Sequence, residues 1–168
     1  MSRSSQRGFT LIELVVVIVI LGILAAFALP RFARLDTSAR VASVRALEGS
    51  LRSGSALARS LWLAQGTAPA QVNMEGVNVA MTAGYPAPTA LGIGSTLATG
   101  TVVAAGNNTP GRWQTSVVNA TTIDFRLNGA TNPAACFVRY QWNGAAAVGP
   151  TITLPGTINN PTNNNPCQ

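Results

Sequence analysis

The side chains suited to acid–base or metal chemistry are few and scattered. Five carboxylates (Glu13, Asp36, Glu48, Glu75 and Asp124) and two thiols (Cys136 and Cys167) lie along 168 residues, with no histidine among them. A histidine triad, a zinc site or a paired-carboxylate hydrolase needs such groups in matched sets. No such set is visible, so a non-enzymatic chain is expected, with no cofactor and no metal. Gly92-Ile93-Gly94 is too little for a phosphate-binding loop.

The charges are equally uneven. All eleven basic residues are arginine, the formal net charge is +6, and charged residues make up 10% of the chain, against roughly 25% in an ordinary soluble domain. Arg3 and Arg7 open the sequence, and Arg31, Arg34, Arg40, Arg45, Arg52 and Arg59 come next against only Asp36 and Glu48. Beyond residue 60, Arg112, Arg126 and Arg139 face Glu75 and Asp124, which is close to neutrality. Phosphate binding needs a clustered cationic surface, so the basic pI of about 11.1 does not make this a nucleic-acid partner.

The elements that position these groups begin with an apolar run. From Phe9 to Leu29 only Thr10 and Glu13 interrupt it, and as a helix it spans about 31 Å, the thickness of a bilayer's hydrocarbon core. A cleaved secretory signal is the alternative, but the run is longer than a usual signal core, and Leu29-Pro30-Arg31-Phe32 offers no small-x-small cleavage site. Glu13 is the odd residue, because an ionisable group within a membrane segment is costly and marks function by default. A carboxylate tolerated near a helix N-terminus by the macrodipole is the plainer reading.

Arg7-Gly8-Phe9-Thr10-Leu11-Ile12-Glu13-Leu14 followed by the apolar run resembles the leader and N-terminus of type IV pilins and related pseudopilins. The resemblance implies cleavage between Gly8 and Phe9 by an inner-membrane prepilin peptidase and methylation of the new Phe9 amine. It also implies that Glu13 neutralises that amine, on a neighbouring subunit, during assembly at an inner-membrane platform. A buried carboxylate is tolerable beside a buried cation, so the physics agrees. Arginines flank both ends of the segment, so charge alone does not orient it; the resemblance implies an N-terminus in the cytoplasm.

After Pro30 an amphipathic helix is expected to about Leu63. Leu35, Ala39, Ala42 and Ala46 recur at helical spacing, as do Val44, Leu47 and Leu51. Arg45, Arg52 and Arg59 are seven apart and share one side, with Glu48 placed four before Arg52. That side is either a solvated face or a contact for acidic groups on other subunits. Pro30 cannot donate a helix bond and Gly22 weakens its turn, so 22–30 is expected to kink or unwind, with or without a role in the filament.

From Gly66 the composition turns to Gly, Pro, Asn, Thr and Val. Strands are predicted near Val77–Thr82, Arg112–Val118, Thr122–Leu127, Cys136–Trp142 and Thr151–Leu154. The loops at Asn119-Ala120-Thr121 and Asn143-Gly144 favour antiparallel neighbours, and Thr89–Leu97 is a weak candidate for a short helix. The sheet needs one face covered, and the C-terminal half of the stalk helix is the obvious cover. Trp62, Trp113 and Trp142 read as core or interface before they read as a sugar platform. The Asn107-Asn108-Thr109 and Asn119-Ala120-Thr121 sequons are given no weight.

An even pair of cysteines in a region outside the cytoplasm predicts a Cys136–Cys167 disulfide rather than two free thiols. It would stabilise by roughly 3.5–4 kcal/mol through loop closure and pin the Asn/Pro-rich tail at 159–166, which otherwise reads as disordered. Type IV pilins carry such a C-terminal loop. Val77-Asn78-Val79, Gly84-Tyr85-Pro86, Ala135-Cys136-Phe137-Val138-Arg139-Tyr140 and Pro150-Thr151-Ile152-Thr153, with Pro30-Arg31-Phe32, Leu35-Asp36 and Ala39-Arg40, resemble mannose-sensitive haemagglutinin pilins. The acidic calcium-loop pattern of the major type II secretion pseudopilin is missing.

The expected architecture is α+β, a long N-terminal helix packed on a C-terminal antiparallel β-sheet. Its parts would be a leader at 1–8, a membrane or filament-core helix at 9–29, a stalk helix at 30–63 and a globular β-domain at 64–168. The expected function is a homopolymeric surface filament subunit, made as an inner-membrane precursor, with its surface or host ligand unspecified. A pseudopilin or a minor pilin for priming or DNA uptake is the alternative.

Overall fold

The fold is described from a computed structural model covering residues 8–97, 102–103, 112–142, 144, 148–159 and 167. Arg3, Arg7, the 107–109 sequon and tail residues 160–166 lie outside the described residues. One helix, α1, runs over Leu11–Gln65. Contacts divide the chain into two units, Met1–Asp36 and Thr37–Gln168.

In the first unit, α1 carries a 19-residue apolar stretch, Leu11–Leu29, of mean hydropathy 3.0 and with none of it buried. Its Val and Ile residues are mediocre helix formers in water. In a bilayer every backbone polar group must be paired internally, so helix is the form available to it. Helix is assigned without interruption through Gly22 and Pro30, so the span 22–30 keeps helical hydrogen bonding; a kink there, the other form expected, is compatible with that assignment. Proline's fixed φ is itself helical, so a helix can pass through it at the cost of one hydrogen bond and a bend in its axis.

In the second unit, α1 covers a sheet with one stripe. Val44, Leu47, Leu51 and Ala58 are buried, at the three- and four-residue spacing of a single helix face. The other candidate stripe does not pack: Leu35, Ala39, Ala42 and Ala46 are exposed. Both stripes have helical period, and periodicity does not say which one a sheet will meet.

Beyond the helix lie two sheets. Strands β1 (Gln71–Met74), β2 (Val77–Thr82) and β3 (Tyr85–Pro86) form a three-stranded sheet in that order. Strands β4 (Val102–Val103), β5 (Trp113–Asn119), β6 (Thr122–Leu127), β7 (Phe137–Gln141) and β8 (Thr151–Thr153) form a five-stranded one, also in chain order. All described pairings are antiparallel except β4 on β5. The expected strands are present within a residue or so of their bounds, and β1, β3 and β4 are additional. Within Thr89–Leu97 a short 3-10 turn forms at Ile93–Thr96. It lies so close to α1 that a Cβ on Gly54 would sit 2.7 Å from the Thr96 hydroxyl oxygen. Glycine is what permits that approach.

Val44, Leu47 and Leu51 share a core with Ile123, Phe125, Val138 and Tyr140, while Ala58 joins Val72, Val79 and Met81 in a second cluster. Burying each large aliphatic contributes about 1.5–3 kcal/mol, so the two clusters hold the second half of α1 against both sheets.

Candidate functional site

The chemistry-bearing N-terminus sits where α1 starts. Gly8, Phe9 and Thr10 precede the helix and are exposed, Phe9 at 88%. The Thr10 carbonyl accepts the first helical bond, from Leu14 N–H at 3.3 Å, which makes Thr10 the cap residue. Its hydroxyl oxygen accepts the Glu13 N–H at 3.3 Å, and Glu13 Oε2 accepts the Thr10 N–H at 2.9 Å and the Thr10 hydroxyl at 2.7 Å. This is a reciprocal capping box, satisfying donors that a helix start otherwise leaves orphaned.

The structure therefore places Glu13 on Thr10. Phe9 is still acylated by Gly8 in this chain, so its nitrogen is an amide and no ammonium exists for Glu13 to meet. A Cβ added to Gly8 would touch nothing within 4 Å, so nothing within the chain demands glycine there. The Thr-x-x-Glu signature before an apolar run is legible in the sequence as Thr10 and Glu13.

Cys136 and Cys167 are joined, with Cα atoms 4.9 Å apart and a sequence separation of 31. Both are buried in the main core, so the bond anchors residue 167 from inside the domain. Among the described residues, no group of three or more potential metal ligands converges.

The Glu48–Arg52 pair that the i,i+4 spacing suggested is formed, and the helix arginines also have carbonyl partners that sequence reasoning missed. Arg52 pairs with Glu48 at 2.6 Å and donates to the Ile152 carbonyl at 3.2 Å. Arg59 donates to the Gly84 carbonyl at 3.0 Å and lies over the Trp62 and Tyr85 rings, 5.0 and 4.6 Å from their centroids. Arg52, whose side chain is still 61% exposed to solvent, and half-buried Arg59 clasp α1 to β8 and to the turn before β3. Arg40 and Arg112 add links, to the Gly129 carbonyl and the Ser43 hydroxyl. Nothing local in the sequence pairs Arg59 with a carbonyl 25 residues on.

The tryptophans are structural. Trp113 and Trp142 are buried, and half-buried Trp62 donates its indole N–H to the Pro69 carbonyl at 3.0 Å. On the face of the five-stranded sheet opposite Ile123 and Phe125, Arg139 grips buried Asp124 through two bonds of 2.8 and 2.9 Å. An open groove of about 870 Å³ runs beside α1 in the second unit, lined by Ser50, Leu57, Met74, Val77 and Trp113 among others.

Comparison with known proteins agrees with this geometry. Residues 3–29 match the prokaryotic N-terminal methylation motif. The chain is 54% identical over 52 residues to the type IV narrow pilus major component of Thermus thermophilus, covering 31% of this chain and 45% of that one. It is 44% identical over 50 residues to the type IV major fimbrial protein of Dichelobacter nodosus, covering 30% and 32%. It is also 47% identical over 55 residues to type II secretion system core protein G of Klebsiella michiganensis, covering 30% and 39%. The matches thus span less than half the length of these relatives. No solved structure matches.

A long N-terminal helix on an antiparallel sheet, opened by a methylation motif, defines a pilin-like class of chain. Motif and relatives together support a type IV pilin.

Proposed function

We propose that the chain is a structural, non-enzymatic subunit of a type IV pilus. The observation that carries this reading is the Leu11–Leu29 apolar stretch of α1, none of it buried, beginning two residues after Phe9 and bearing Glu13 in its first turn. Such a surface must be covered either by lipid or by other helices. The precursor is held by this helix in the bacterial inner membrane. Prepilin peptidase then removes residues 1–8 and methylates Phe9, and the assembly platform passes the subunit into an extracellular homopolymer. Helix–helix burial there replaces lipid contact, and the Glu13 carboxylate offsets the Phe9 ammonium. The second unit, with its sheets and disulfide, lies outward and serves adhesion or motility. The likeness to mannose-sensitive haemagglutinin pilins favours attachment.

The test is Glu13→Val. It leaves membrane insertion unchanged, because it makes the segment more apolar, and it lowers filament yield at least tenfold. Wild-type filament yield from this variant contradicts the reading. Core protein G, a type II secretion component, keeps a pseudopilin as the second reading; under it, processed protein stays in the envelope.

A further inference from the structure

Most charges of the second unit are matched within the chain. Glu48 holds Arg52, Asp124 holds Arg139, and Arg40, Arg45, Arg59 and Arg112 are engaged as well. Among the described residues of that unit, one arginine and one carboxylate form no hydrogen bond or ion pair. They are Arg126 and Glu75.

Arg126 lies within β6, on the face opposite Ile123 and Phe125, between Gln114 of β5 and Phe137 of β7. The residue is half-buried, and its Nε is buried without an acceptor. Asp124, on the same face of β6, is spent on Arg139 through two bonds. An unpaired cation that has already lost part of its water anchors an anion better than a fully solvated one, because less hydration remains to be stripped.

Glu75 is exposed at the tip of the β1–β2 hairpin, in the two-residue turn between Met74 and Val77. Its φ of 51° and the 86° of Gly76 are both left-handed. Turns of that kind favour asparagine, aspartate or glycine over a longer side chain, so turn chemistry does not select glutamate here. The arm that carries it is braced. Asn73 donates its amide N–H to Asn78 Oδ1 at 3.0 Å and accepts the Gly76 N–H at 3.1 Å. Glu75 also stands on the rim of the groove beside α1, where Leu57 and Val77 are exposed.

We propose that Glu75 of one subunit pairs with Arg126 of the next. The inference rests on the filament reading and adds to it a contact between second units. A helical polymer needs two different, mutually complementary patches on each chain, so that every copy binds the next and the contact never closes on itself. Glu75 and Arg126 are opposite in sign and belong to different sheets, which meets that requirement. Leu57 and Val77 beside one charge, and Phe137 beside the other, supply apolar surface that excludes water from the pair. Such a pair sets register and partner choice, while the apolar helix supplies the bulk of the assembly energy.

The experiment uses the full chain, expressed in cells and sheared from them as fibres. Glu75→Arg and Arg126→Glu each bring like charges together and lower fibre yield about tenfold. The two combined restore it to within about threefold, because the pair re-forms with its signs exchanged. Arg126→Glu also puts a carboxylate beside Asp124, so a second test adds no charge. With Glu75→Cys and Arg126→Cys in one chain, a short bismaleimide links neighbouring subunits into a covalent ladder, and neither single variant gives one.

A double reversal that folds but fails to restore yield, or assembled fibres that give no ladder, overturns the proposal alone. Rescue of Glu75→Arg by Arg31→Glu, which reverses an exposed arginine of the first unit, assigns the carboxylate another partner and overturns it too. A wild-type chain that makes no fibres overturns the filament reading and the proposal with it.

Discussion

Tyr140 shows how single side chains set the behaviour of the second unit. Its ring is buried and its hydroxyl donates to the Pro86 carbonyl at 2.7 Å, tying β7 to β3. Burial pushes its pKa well above the ordinary value of 10.0; the Ser55 hydroxyl pulls it back slightly, and Tyr85 pushes it up further. The unfolded chain releases this proton near pH 10, while the folded chain keeps it. Above that pH the unfolded state binds fewer protons, so stability is complete below pH 10 and falls as pH rises. Full-length protein in detergent should therefore melt progressively earlier between pH 10 and 12. Tyr140→Phe should be less stable at pH 7 by about 1 kcal/mol, for the lost hydrogen bond, and flatter above pH 10. An equally steep alkaline loss in Tyr140→Phe would place the titration elsewhere. The Glu13 prediction belongs to this scale too, since it rests on one carboxylate, which accepts two hydrogen bonds from Thr10 within 3 Å.

Elements were legible where local pattern decided them. Ile123, Phe125 and Leu127 alternate inward, so β6 read directly as a strand, and Val44, Leu47 and Leu51 marked the packed face of α1. Strand β1 was missed because Gln71 and Asn73 flank its one fully buried residue, Val72. Strand β4 has only two residues, and its parallel partner is not announced by any tight turn. The arginine clasp was illegible for a related reason. Its acceptors are backbone carbonyls, which every residue possesses, so composition cannot single them out. At Gly84, with φ of 84°, a Cβ would overlap the Arg59 guanidinium, a constraint visible only once the turn is built. The disulfide was legible as a pair of cysteines in an otherwise cysteine-free chain. Cys136→Ser opens the loop that links β7 to residue 167, and a loss near 3.5 kcal/mol should lower the melting temperature by about 10 °C. A melting temperature unchanged under non-reducing conditions would mean that the bond does not constrain the domain.

The molecule as a whole joins an apolar helical stretch with none of it buried to a unit with its own buried core. None of the apolar stretch Leu11–Leu29 is buried among the described residues, whereas the second unit buries two hydrophobic clusters and a disulfide. On the proposed reading such a chain is completed by its surroundings, first lipid and then copies of itself. The most direct test of that claim is the intact mass of protein sheared from the cell surface as fibres. A dominant species beginning at N-methylated Phe9, with its two cysteines oxidised, is the predicted result. Fibres lacking this chain, with the processed protein confined to the envelope, would contradict the filament-subunit account and leave the pseudopilin reading standing.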